Sequence, residues 1–415
     1  MIVSYFSALQ RKPVLDKSGS QVGRLRDVIV QLAGGDEPVV TAVVVRFGHT
    51  DIFVPAADIR SIEGDQVALS TARLDVRPFS RRPGEVLLKQ DVLGHRVVDI
   101  ERAMLVRARD VSLQQDGNVI RAVGLDVRPR RLFGSQPPTA REWDEFNVLI
   151  GHEASQLVRR SGSQLRSLKP AQVADLIEEA SKAERNELLT EVASDPDFEA
   201  DVFEELDEDE INRVLRDRDV EDIADSLELM QTDDAADVLL NLPQGRRQAV
   251  IDTIAEPRRT EILALLSYQE DSAGGMMGID QLALPATTLV ATALKRVQNE
   301  TERQPQSLTV LFTLDKEGRL EGTVALARLI QADPKATLSD IQEPDPVTAD
   351  PDEDMLDIVT RMADFNLLVL PIVGQDGKLL GAITVDDALE AAIPDNWRQR
   401  EPSRPVNRPR NEDEQ

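Results

Sequence analysis

The residues of this chain that could do chemistry are its carboxylates. There is no cysteine among its 415 residues, and the three histidines, His49, His95 and His152, are scattered. Disulfides, thiolate nucleophiles, iron–sulfur clusters and cysteine zinc sites are therefore excluded, and a histidine metal cluster or His-based triad has little material. Asp plus Glu number 75 against 48 Lys plus Arg, a net charge of -27. That charge is uneven: +4 over residues 1–133, +1 over 134–169, -20 over 170–270 and -12 over 271–415. A surface so negative repels nucleic acid and anionic lipid and attracts cations. Single carboxylates mostly solvate helix faces, but a dense cluster raises the free energy of the folded state unless a cation neutralises it. In Thr232-Asp233-Asp234-Ala235-Ala236-Asp237, residues 233 and 237 stand one helical turn apart, and 234 and 237 are also neighbours. Clustered carboxylates of this kind offer hard oxygen donors to a cation.

The acidic run Ala349-Asp350-Pro351-Asp352-Glu353-Asp354 reads equally as ligands or as the N-cap and acidic first turn of a helix. Asp233 has the same second reading as an N-cap. The run is not an EF-hand, because Met355 stands where the loop needs its glycine and Arg361 where it needs its final glutamate. There is no Gly-rich phosphate loop before a helix, no activated nucleophile and no paired Ser/His arrangement, so the chain is expected not to be an enzyme.

These carboxylates must be positioned by a multidomain α+β chain. Residues 1–133 read as strands, with Val39-Val40-Thr41-Ala42-Val43-Val44-Val45 set between turn signals at Gly34-Gly35-Asp36 and Gly48. Gly23-Arg24-Leu25-Arg26-Asp27-Val28 is echoed by Gly94-His95-Arg96-Val97-Val98-Asp99-Ile100, which predicts two small β-barrels in tandem, at 1–78 and 84–133. Gly134-Ser135-Gln136-Pro137-Pro138 opens a linker, with helix expected from Trp143, across 134–164. Residues 165–270 repeat short amphipathic units such as Ile223-Ala224-Asp225-Ser226-Leu227, each followed by a polar turn, and predict an α-superhelix. In 271–394 the run Leu308 to Gly322 aligns without gaps to Leu367 to Gly381, at an offset of 59 throughout. Each unit reads β-α-β-β-α. No stretch reaches the roughly 18–20 apolar residues of a membrane span; Ala273 to Leu294 is broken by Gly278, Asp280 and Pro285. With no signal peptide evident, a cytoplasmic protein without membrane insertion is expected.

The two N-terminal halves are similar to PRC-barrel domains, where a glycine turn leads into a strand ending in Asp. The C-terminal repeat resembles a pair of CBS domains, at 271–335 and 336–394. An acidic superhelix, then Leu266-Ser267-Tyr268-Gln269-Glu270-Asp271-Ser272-Ala273-Gly274-Gly275-Met276-Met277, then the CBS pair closely resembles the cytosolic region of MgtE-type magnesium transporters. In that family a connecting helix and transmembrane helices follow. Here a polar, proline-rich tail, expected to be disordered over 395–415, follows Pro394. The expectation is a sensor without the pore.

The resemblance implies Mg²⁺ held between the helical domain and the CBS pair. Residue by residue it carries over to Asp233, Asp234 and Asp237, and on the CBS side to Asp352, Asp354, Asp387, Glu390 and Asp395; one family carboxylate falls at Asn366. It also implies a nucleotide cleft that uses Thr384 and Asp387 for ATP or AMP. The first CBS unit has Ala325 and Arg328 in those places, which leaves at most one competent cleft. The leading expectation is a Mg²⁺-responsive regulatory protein, homodimeric through the CBS pair and acting on a membrane transporter as partner. The alternatives are an adenine-nucleotide sensor and a scaffold for protein contacts. A charge of +4 over 1–133 is too small to argue for direct nucleic-acid binding.

Overall fold

The computed structural model describes residues 2–31, 37–63, 66–82, 85–128, 139–147, 164–269, 271–300 and 306–393. They fall into two units, Met1–Ile211 and Asn212–Gln415.

The first unit begins with strands β1 (Ile2–Tyr5), β2 (Pro13–Leu15), β3 (Gln21–Gln31), β4 (Val39–Phe47), β5 (Thr50–Pro55), β6 (Ile59–Glu63) and β7 (Gln66–Leu69). A short helix, α1 (Phe6–Leu9), follows β1. The second repeat supplies β8 (Val86–Leu87), β9 (Arg96–Asp99), β10 (Met104–Arg107), β11 (Asp110–Asp116) and β12 (Val119–Asp126). Runs of Val and Ile suit a pleated, half-buried surface, and β4 buries Val40 and Ala42 through Val45. The two repeats do not close separately. Among the described residues one sheet runs β1-β11-β12-β4-β3-β2-β7-β6, with β5 on β4 and β8 on β3. Halves this short leave unpaired strand edges, and pairing β1 with β11 and β12 with β4 covers them. Gln115 extends the closure: its Oε1 accepts from Ile62 N–H at 2.9 Å and its Nε2 donates to Arg60 carbonyl at 3.1 Å, so a side-chain amide stands in for a ladder peptide.

The segment after Thr139 departs from the linker-and-helix expectation. It forms β13 (Arg141–Glu142) on β12 and β14 (Phe146–Asn147) on β9, around a single 3-10 turn at Trp143–Glu145. Trp143 and Phe146 sit in the barrel core at 2% and 0% exposure, so two aromatic anchors outweigh the local helical pattern. Residues 148–163 lie outside the described residues.

The echoed aspartates of the two repeats are both buried but neutralised differently. Asp99 pairs with Arg141 and with Arg102. Asp27, 4% exposed, accepts from the backbone N–H of Val28 and Lys89, each at 2.8 Å. Burial, with the nearby charge of Asp91, lifts the Asp27 carboxyl to about 6 in spite of those donors. Because its folded value exceeds its unfolded one, the stability that Asp27 supplies is complete below about pH 4 and is lost as pH rises through about 6. Asp27→Asn should therefore stabilise the barrel by about 2 kcal/mol at pH 7.5, with the advantage vanishing towards pH 4. Hydrogen exchange of β3 and β4 amides at the two pH values checks this.

The first unit continues into α2 (Pro170–Glu179), α3 (Lys182–Val192) and α4 (Pro196–Glu204), while α5 (Glu208–Leu215) crosses into the second unit. Pro at the start of α2 and α4 fits the first helical turn, where its missing N–H has no intrahelical partner. The barrel holds α3 through polar side chains. Arg96 of β9 is bidentate on Glu184, with Nε to Oε1 at 3.0 Å. Buried Asn147 of β14 donates to both oxygens of Glu191 at 2.9 and 3.0 Å. Against the cost of its burial, Arg96 and Ser181 hold the Glu184 carboxyl down at about 2.

The second unit holds α6 (Val220–Leu229), α7 (Thr232–Asn241), α8 (Gln244–Thr253) and α9 (Arg258–Leu265), with α6 packed on α8 and α7 on α9. Ile223, Leu227, Leu239, Val250, Ile262 and Leu265 are buried. Arginines close the helix ends: Arg246 donates to Arg216 carbonyl at 2.9 Å, Arg247 to Leu242 carbonyl at 3.2 Å, and Arg258 to Met230 carbonyl. Each supplies a donor and a positive charge where terminal carbonyls lack partners.

After α10 (Ala273–Met276) come β15 (Ala283–Pro285), α11 (Val290–Asn299), β16 (Val310–Leu314), β17 (Leu320–Ala325) and α12 (Leu326–Gln331). Then follow α13 (Leu338–Ile341), β18 (Glu343–Pro344), α14 (Met355–Phe365), β19 (Val369–Val373), β20 (Leu379–Thr384) and α15 (Val385–Ala392). The 59-residue offset survives in three dimensions: Val310 faces Ala325 as Val369 faces Thr384. Gly318 and Gly377 turn the two hairpins at the same φ of +80°, a backbone state that glycine adopts without strain. Phe312, Val369 and Ala382 share one core between the repeats. Asn366 ends α14 in the left-handed conformation at φ 51°, a place where Asn is tolerated and which accounts for it in structural terms.

Candidate functional site

The site is built where α7 starts, where the junction turns at Gly278, and where β20 runs into α15. The junction is stitched to β20 by paired backbone bonds, Gly278 N–H to Ala382 carbonyl at 3.0 Å and Ala382 N–H to Gly278 carbonyl at 2.9 Å. The approach is close: a Cβ on Gly381 would stand 2.7 Å from the Gly278 carbonyl oxygen, so any side chain there would push the junction away. A Cβ on Gly278 would lie 3.7 Å from Asp233 Oδ1, which puts the junction backbone against the Asp233 carboxylate.

Asp233 Oδ1 is closed off from solvent and has no hydrogen-bond partner. Burial raises the Asp233 carboxyl well above its ordinary range, and the charges of Asp387, Asp280 and Asp237 raise it further. Burial also lifts Asp387, although Thr384 donates to its Oδ2 from both N–H, at 3.0 Å, and Oγ1, at 2.7 Å. Asp280 Oδ2 accepts from Thr232 Oγ1 at 3.0 Å. An orphaned oxygen on a carboxyl that feels other negative charges is costly as it stands and fits a cation. Among the described residues no three His, Asp or Glu side chains are arranged to hold a metal ion directly. An ion here would retain waters, as Mg²⁺ commonly does.

The structure thus brings Asp233, Asp237 and Asp387 into one electrostatic neighbourhood. Asp234 lies beside them in sequence, with Gln231 Nε2 donating to it at 3.4 Å. Asp354 caps α14, its Oδ1 accepting from Leu356 N–H at 2.9 Å, and Asp352 N–H turns back to Asp350 at 3.1 Å. The helix-start reading accounts for Asp354, while the bond at Asp352 uses its backbone alone. Glu390 falls in α15 with its side chain outside the description, and Asp395 lies outside the described residues. Sequence reasoning missed Asp280, which it read only as a break in an apolar stretch; an acidic residue just after the glycine junction was the available signal. Thr384 and Asp387, the expected nucleotide pair, bond to each other as a helix-start box before α15. In the first repeat Ala325 is the N-cap of α12, without a side-chain cap.

Comparisons with known proteins agree with this layout. The family described as MgtE intracellular N domain matches residues 168–271, the CBS domain matches 338–393, and the PRC-barrel domain matches 1–73. The magnesium transporter MgtE of Thermus thermophilus is 31% identical over 171 residues, 41% of this chain and 36% of that protein. MgtE of Enterococcus faecalis is 27% identical, over 31% of this chain and 28% of that protein. The matched part thus spans about a third of these relatives' length. The crystal structure of the cytosolic domain of the Mg²⁺ channel MgtE in complex with ATP matches with TM-score 0.51 and 28% identity, covering 55% of this chain and 91% of that one. The soluble part of a magnesium transporter matches at 0.52 and 24%, covering 55% and 89%, a likeness of fold. No helix among the described residues is long and apolar enough to cross a membrane. The chain carries a PRC-barrel domain, an MgtE intracellular N domain and a CBS domain, and it resembles the cytosolic region of MgtE-type magnesium transporters.

Proposed function

We propose that this protein is a cytoplasmic regulator that senses Mg²⁺ at the Asp233 cluster and passes the signal to a partner, with a separate membrane transporter as that partner. The observation that carries this reading is the closed-off oxygen of Asp233, a carboxyl that feels the charges of Asp387, Asp280 and Asp237. Asp233 and Asp387 would hold the ion, with Asp237 and Asp280 at longer range. When bound, the ion supplies the positive charge that lets α7, the glycine junction and α15 stay together. Its loss leaves like charges to loosen them. The role is binding and conformational control, with no catalytic step. An apolar surface of Leu356, Phe365, Leu368 and Leu389, each more than half exposed on or beside α14 and α15, supports a homodimer through the CBS domains.

Limited proteolysis of the full chain against Mg²⁺, at ionic strength matched with NaCl, tests the reading. Cleavage between Gly274 and Pro285 should be suppressed by Mg²⁺ and not by NaCl. Equal cleavage up to tens of millimolar Mg²⁺ overturns it. A second reading, an adenine-nucleotide sensor, is supported by the Thr384–Asp387 pair and by the similarity to an ATP-bound domain. It draws on the same Asp387, and protection by ATP in EDTA would favour it over the cation.

A further inference from the structure

Helix α7 starts without a side-chain cap, because its N-cap residue is Gln231 and makes none. The neighbouring Thr232 is of a type that caps helices well, yet its hydroxyl is used elsewhere. Thr232 is 0% exposed. Its Oγ1 accepts from Arg258 Nη1 and donates to Asp280 Oδ2 at 3.0 Å. The same guanidinium donates through Nη2 to the Met230 carbonyl that follows α6. One arginine at the start of α9 therefore ties the end of α6, the start of α7 and, through a single hydroxyl, the acidic residue of the junction. Asp280 sits two residues beyond Gly278, whose backbone lies against Asp233. Gln281 Nε2 also donates to the Gly278 carbonyl, so the turn carrying Asp280 is internally braced.

We infer that Arg258 and Thr232 are positioning residues that latch Asp280, and with it the Gly278–Gln281 turn, onto α7 before any cation arrives. The latch prearranges one side of the Asp233 cluster, so that an ion closes a partly built site instead of gathering a loose loop. It is a chain of hydrogen bonds with a defined direction, guanidinium to hydroxyl to carboxylate, and removal of the hydroxyl alone breaks it. The effect on Mg²⁺ rests on the cation reading above; the latch in the metal-free protein does not.

Thr232→Val keeps the shape and deletes the hydroxyl, Thr232→Ser restores it, and Asp280→Ala removes the far end at a part-exposed position. In EDTA, amide exchange at residues 278–282 of the full chain should quicken about 5–10-fold in Thr232→Val and in Asp280→Ala, and about as much in the double variant as in either alone. Thr232→Ser should stay within about twofold of wild type. The Mg²⁺ midpoint for protecting the junction should rise about 3–10-fold in Thr232→Val and hardly move in Thr232→Ser. Unchanged exchange in Thr232→Val overturns the latch. So does a Thr232→Ser variant as loose as Thr232→Val, which would make the role one of packing. So do additive effects in the double variant. If wild type itself shows no Mg²⁺ midpoint, the cation reading falls and the exchange data in EDTA still decide the latch.

Discussion

In EDTA, Asp233→Asn should melt above the wild-type protein, and it should lose the Mg²⁺ protection of the Gly274–Pro285 junction. Asp233 Oδ1 has no hydrogen-bond partner and the group feels the charges of three other carboxylates, so an amide of the same shape removes the cost of burying that charge or of taking up the proton that neutralises it. Removing one unpaired buried carboxylate is worth about 1–2 kcal/mol, or about 2–4 °C in the unfolding of a unit the size of Asn212–Gln415. The same change deletes the anionic donor, so the Mg²⁺ midpoint should rise at least about tenfold. Opposite signs for stability and for cation response distinguish a sensing carboxylate from a structural one. A variant that melts lower in EDTA and keeps its Mg²⁺ midpoint would remove Asp233 from the site. Thermal unfolding with and without Mg²⁺ makes both measurements on one sample.

The second large effect lies in the first unit. Arg96→Glu should release α2 and α3 from the barrel, because it sets a second carboxylate against Glu184 and abandons Glu179 as well. Arg96 and Glu184 are 23% and 19% exposed, so the pair is mostly but not fully desolvated. Breaking one partner should cost about 2 kcal/mol, below the range for fully buried pairs. Amide protection in α2 and α3 should fall about 10–30-fold while β3 and β4 keep theirs. The exchanged pair, Arg96→Glu with Glu184→Arg, should recover most of the loss. Unaltered protection in Arg96→Glu would mean that apolar contacts alone hold the helices. If the prediction holds, the barrel is an integral partner of the first superhelical helices, and any signal from the barrel reaches α3 through β9 and β14.

Much of the fold was legible because it is locally encoded. The 59-residue repeat specifies hairpins, since an Asp/Gly turn between Val- and Leu-rich runs has few other solutions; Gly318 and Gly377 confirm it with identical φ values. The amphipathic helices are legible from spacing alone, down to Ile223 and Leu227 on one buried stripe. The second barrel was misjudged for the opposite reason. Strand pairing between β12 and β4 joins residues far apart in sequence, and periodicity says nothing about which edge meets which. Trp143 was read as the start of a helix because local pattern could not reveal a core waiting for an aromatic ring.

The candidate site divides along the same line. Sequence by itself determined that this protein has carboxylates and no thiols for ligands, that Asp233 and Asp237 share a helix face, and that Thr384 and Asp387 follow the second strand of the second repeat. It also determined that a glycine-rich junction precedes a repeated β-α-β-β-α unit. Only the tertiary structure decided that Asp280 joins the cluster and that Asp233 Oδ1 is left without a hydrogen-bond partner. The physical reason is range. Caps and turns are satisfied within a few residues, whereas the cost of a buried charge is set by whatever the fold packs against it.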